Sequence, residues 1–113
     1  MSDPSTPPNT ALVELAEILG VDDTRDLVRS FLKEYDGLIR AMTVPDREQQ
    51  HRAVHSLKSS CRHMGLATLV RKLEALEARV MLPNGKVALE DIAAIHSEFE
   101  RGVPPLRRFA AGR

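Results

Sequence analysis

The run His55-Ser-Leu-Lys-Ser-Ser-Cys-Arg-His-Met-Gly65 concentrates the side chains of this chain that could do chemistry. On a helix turning about 100° per residue, Leu57, Cys61 and Met64 share one side, with Ala53 and Ser60 at its edge. His55, Lys58, Ser59 and Arg62 fall on the opposite side. An imidazole on a polar face is a nucleophile near pH 7, where much of it is unprotonated. A phosphoryl group placed on it adds negative charge, and a cation three residues on lies close enough to stabilise that charge. The chemistry that fits is phosphoryl acceptance by His55, with Lys58 as charge support.

The neighbours extend this reading. Arg62, further along the same face, would attract the acidic pocket of a donor protein. Ser59 is small enough to admit a partner's backbone beside the imidazole, and His51, one turn earlier, widens the docking face. Ser60 is expected to bond within its helix or to a neighbour, and Leu57 to anchor the helix in the core. The serines do not read as hydrolytic nucleophiles, because no carboxylate stands at a spacing that would orient His55 as a general base and nothing resembles an oxyanion hole. Two other uses of the segment stay open. His51 and His55 have a two-ligand metal spacing, but Cys61 points away, His63 is rotated by about 80°, and no acidic residue on this helix joins them. A helical adaptor that binds a partner without covalent chemistry is the other.

Helices must position this face. Residues 1–8, with prolines at 4, 7 and 8, read as a mobile tail before a single domain over 9–113. Asn9 or Thr10 caps a short helix through Leu12, Leu15, Ala16 and Leu19, which Gly20 ends. Asp22 or Asp23 is expected to cap a second helix, whose stripe runs from Leu27 through Val28, Phe31, Leu32, Tyr35, Leu38 and Ile39 to Met42. Pro45 and Asp46 suit the start of the third, which carries His55 and stops at Gly65. From Leu66 the pattern resumes through Leu69, Val70, Leu73, Leu76 and Val80 to the turn Pro83-Asn84-Gly85. Leu89, Ile92, Ile95, Phe99, Val103, Leu106 and Phe109 trace a last segment, which Pro104 and Pro105 must bend or break. The fold class is all-α: an antiparallel four-helix bundle with a short additional N-terminal helix, its large core residues being Phe31, Tyr35, Phe99 and Phe109.

Bulk properties narrow the function classes. The chain has 113 residues with 16 basic and 16 acidic side chains, so no net field draws it to nucleic acid or to an anionic membrane. No apolar run is long enough for a membrane span, and the N-terminus has no signal pattern. One cysteine allows no internal disulfide, which fits a cytoplasmic setting.

His55-Ser-Leu-Lys58, followed by Ser60 and, ten residues after the histidine, by Gly65, resembles the signature of histidine-containing phosphotransfer domains. The helical hairpin continuing through Leu69, Leu73, Glu74, Leu76 and Glu77 is similar to that family as well. Ser59 departs from it, since the position after the lysine is often glycine; its hydroxymethyl group narrows the approach to His55. The resemblance implies that His55 takes a phosphoryl group from a receiver-domain aspartate and passes it to another. It implies as partners response-regulator receiver domains and a hybrid sensor histidine kinase, with Mg²⁺ held by the receiver and no cofactor here. No glycine-rich phosphate loop is present, so a phosphocarrier without autokinase activity is expected. A stand-alone, cytoplasmic monomer is expected too.

Overall fold

The computed structural model describes residues 6–112, so the tail reading for residues 1–5 lies outside the described residues. Among the described residues six helices follow one another: α1 (Thr10–Leu19), α2 (Val21–Thr43), α3 (Arg47–His63), α4 (Ala67–Val80), α5 (Leu89–Gly102) and α6 (Pro104–Ala111). Each of α2 to α5 packs against the next, and α5 returns to α2, which closes a four-helix ring. The pairing is antiparallel around it. Lys58 meets Glu77 while Arg47 meets Val80, and Phe31 meets Phe99 while Tyr35 meets His96. Helices α1 and α6 lie against α2 from outside the ring.

Caps set most of the boundaries. Asn9 accepts from the Leu12 amide and starts α1, and Asp46 accepts from the Glu48 and Gln49 amides and starts α3. The expected Asp22 or Asp23 cap is corrected: α2 begins at Val21, directly after Gly20 at φ 89°, with no side-chain cap. Both aspartates instead lie in the first turn, where negative charge complements the helix dipole. Gly65, at φ 75°, turns α3 into α4. A Cβ there would collide with the Asn9 side chain, and the Asn9 side-chain amide donates to the Met64 carbonyl at 2.8 Å. One asparagine thus caps α1 and ties it to the end of α3. After Val103 the chain re-enters a helix at Pro104, whose missing amide donor is no loss in a first turn.

The core runs through the ring. Phe31, Tyr35, Phe99 and Phe109 are all buried, with Leu57, Leu73, Val54, Val80 and Val103 among them. The apolar stripes are narrower than the sequence suggests, because Leu27, Leu89 and Leu19 are exposed. Buried Gln50 links two connections: its amide donates to Val44 O and its carbonyl accepts from Val87 N. Arg47 holds the end of α4 through the carbonyls of Val80, Met81 and Leu82. That clamp fixes how far α4 slides along α3, and so which α4 residue faces His55.

Candidate functional site

The α3–α4 pair builds the site. Leu57 and Cys61 are fully buried, so the α3 face opposite them must point outward. The His55 side chain is 62% exposed there, while Lys58 one turn on is only 14% exposed because it leans toward α4. Between them lies Glu77, also 14% exposed. Its Oε1 accepts from Lys58 Nζ at 2.5 Å, and its Oε2 is 2.7 Å from His55 Nδ1. His51 approaches the same Oε2 with its Nε2, at 3.5 Å, and the two imidazole rings are 6.4 Å apart.

Glu77 therefore joins two histidines and a lysine, and a carboxylate does orient His55. The expectation that none would was drawn along α3 alone; the carboxylate comes from the facing helix. The Lys58 hydrogen bond pulls the Glu77 carboxyl below the usual range, His55 adds to this, and partial burial opposes it. An ionised carboxylate only accepts, so the proton of a neutral His55 sits on Nδ1 and is donated to Oε2. The lone pair is left on Nε2, on an exposed ring.

Lys58 is also placed more specifically than a free surface cation. It is bound to Glu77, and the pair brings no net charge to the site. Arg62 is exposed and 3.5 Å from Glu74 on α4, one turn beyond Glu77. Ser59 and Ser60 are half-buried, and Ser60 borders a groove with His63, Met64 and the α2 residues Leu27, Phe31 and Glu34. Gly65 lies past the helix end as its positive φ requires. Among the residues singled out from sequence, the structure gathers His51, His55 and Lys58 on one carboxylate and leaves Ser59 and Arg62 around them.

The remaining histidines stand apart. His96 Nδ1 is 3.1 Å from the Tyr35 hydroxyl on another side of the bundle, and His63 is exposed near the end of α3. Burial pushes the Cys61 thiol up to about 12, which makes it a core residue and no nucleophile. Among the described residues there is no group of three or more His, Cys, Asp or Glu side chains set to hold a metal ion. No described helix is long and apolar enough to cross a membrane.

The sequence matches the family model described as "Hpt domain" over residues 24–101, a span that contains α3, α4 and Glu77. Neither curated proteins nor solved structures gave a match.

Proposed function

This chain belongs to the Hpt domain family, and from that membership we propose that His55 is its phosphoacceptor in a relay between receiver domains. Hpt domains are phosphocarriers of two-component phosphorelay signalling, working with receiver domains and kinases. The observation that carries the assignment is the bond from His55 Nδ1 to Glu77, made by a ring that is mostly exposed. It favours Nε2 as the attacking atom and lets a partner reach it.

In the proposed step, the Nε2 lone pair attacks the phosphorus of an aspartyl phosphate on a receiver. The N–P bond forms as the acyl P–O bond breaks, and the receiver's aspartate leaves as a carboxylate. The Nδ1 proton stays on His55, held by Glu77, so the ring need not shed a proton during transfer. Running backward onto a second receiver, the same step delivers the group. Positioning and charge supply most of what such a transfer needs.

Lys58 offsets the Glu77 carboxylate, which would otherwise repel the incoming phosphoryl group. Arg62, Ser59 and His51 surround His55 as the docking face, with Leu57, Ser60 and Gly65 holding the helix and its turn. Mg²⁺ and the acidic phosphorylation pocket belong to the receiver in this reading, and this chain holds no cofactor. The site is completed by α3 and α4 of one chain, which supports a monomer as the working unit, and the proposed setting is cytoplasmic.

The test is transfer of radiolabel from phosphorylated receiver domains. Wild type should become labelled, and His55→Gln should not, with its helical signal and thermal unfolding nearly unchanged. Labelling of the His55→Gln protein would move the assignment to another histidine.

A further inference from the structure

His51 takes no part in the bond-making step at His55, and its place beside Glu77 calls for an account of its own. Its Nε2 is shielded from solvent and has no hydrogen-bond partner, yet faces Glu77 Oε2 at 3.5 Å. Its ring centre is 6.4 Å from that of His55. Along α3 the charged and titratable groups around it are Arg47, Glu48, Arg52 and His55, and α4 contributes Glu77. Arg47 is committed to the carbonyls at the end of α4, and Lys58 to Glu77 Oε1. A guanidinium is a fixed cation that cannot respond to a change of charge nearby. Beside His55, His51 is therefore the group that can add positive charge on demand.

Phosphorylation creates that demand. With Glu77 and Lys58 offsetting each other, phosphorylation of a His55 that keeps its Nδ1 proton adds about one net negative charge near His51, carried on the phosphoryl oxygens. Added negative charge raises the proton affinity of a nearby imidazole. A proton taken from solvent by His51 gives its Nε2 a charged donor aimed at Glu77 Oε2, the oxygen that already holds His55. We propose that His51 is the charge-compensating residue of the phosphorylated state, taking up a proton when His55 is phosphorylated. By linkage, the effect runs both ways: protonation of His51 must favour phosphohistidine over the receiver's aspartyl phosphate.

This inference rests on His55 being the phosphoacceptor, and the experiment separates the two. The equilibrium between phosphorylated receiver and phosphorylated carrier is measured between about pH 5.5 and pH 8, the neutral-histidine window, for wild type, His51→Gln and His51→Lys. Relative to His51→Gln, wild type should hold about threefold to tenfold more phosphohistidine at the acid end, and the two should converge at the alkaline end. His51→Lys should keep the preference for phosphohistidine at every pH. His63→Gln, altered at the exposed end of the helix, should follow wild type. Parallel profiles for wild type and His51→Gln, with transfer intact, would overturn the role of His51. Absence of transfer in wild type would overturn the relay reading, and this inference with it.

Discussion

At the scale of single residues, the site turns on one carboxylate with two donors bound to it and a second imidazole beside it. If Lys58 acts by offsetting Glu77, its loss should hurt mainly because Glu77 remains. Lys58→Ala is expected to slow acceptance about tenfold, corresponding to roughly 1.4 kcal/mol of lost charge support. In Lys58→Ala/Glu77→Gln, part of that loss should return, because the amide still accepts from His55 Nδ1 but repels nothing. A double-mutant cycle on single-turnover transfer rates checks this, and strict additivity would refute the offsetting role. Glu77 also makes a prediction about acid. Its carboxyl is held below the ordinary range by Lys58 and then His55, so its contribution to stability is present above the unfolded value near about 4.3. That contribution is lost as pH falls through the lower folded value. Wild type should lose stability across that acid window more steeply than Glu77→Gln, as read from denaturant midpoints at several pH values; equal slopes would show that the Glu77 interactions do not matter to folding.

At the scale of elements, the turn after α3 joins three helices through one contact. Gly65 lies at φ 75°, and Asn9 fills the space where its Cβ would be. Gly65→Ala should therefore cost about 1–3 kcal/mol, from left-handed strain together with displacement of the Asn9 side chain. Asn9→Ala alone should cost about 1 kcal/mol as a lost cap. Combined, the two should cost less than their sum, because displacing Asn9 is part of the glycine effect; additive urea midpoints would contradict that. These elements also show what sequence makes legible. The starts of α1 and α3, the stop at Gly65 and the break before Pro104 are local events, written by cap, glycine and proline within a few residues. Leu27 and Leu89 fit their stripes yet are exposed, since periodicity marks which face turns inward but not how far a neighbour covers it. His55 and Lys58 were readable because they share one helix. Glu77 stood in plain view in the sequence, but its role depends on the register of α4 against α3, which Arg47 sets by binding carbonyls more than thirty residues away. No spacing along one helix encodes that register.

At the scale of the whole molecule, the ring of α2 to α5 and the two outer helices divide the work. The family match, residues 24–101, covers most of the ring and neither α1 nor α6. Helix α6 is held by two arginines of α2. Buried Arg25 donates from Nε to Phe109 O and lies over the Phe109 ring at 4.9 Å, and Arg29 reaches Ala110 O and Gly112 O. Cationic donors at the C-terminal end of a helix satisfy carbonyls with no partner of their own and complement its dipole. Neither arginine contacts α3 or α4 through a hydrogen bond or ion pair. Weakening this clamp should loosen α6 while leaving the histidine site assembled. In Arg29→Ala, which removes two of these bonds at a half-exposed position, amides of α6 should exchange faster with solvent, and those of α3 and α4 should keep their protection. The rate of phosphoryl acceptance by His55 should stay within about twofold of wild type, since no group of the transfer step is moved. Uniform loss of protection together with loss of transfer would mean that α6 is part of one cooperative unit with the site, and the division between ring and outer helices would fail.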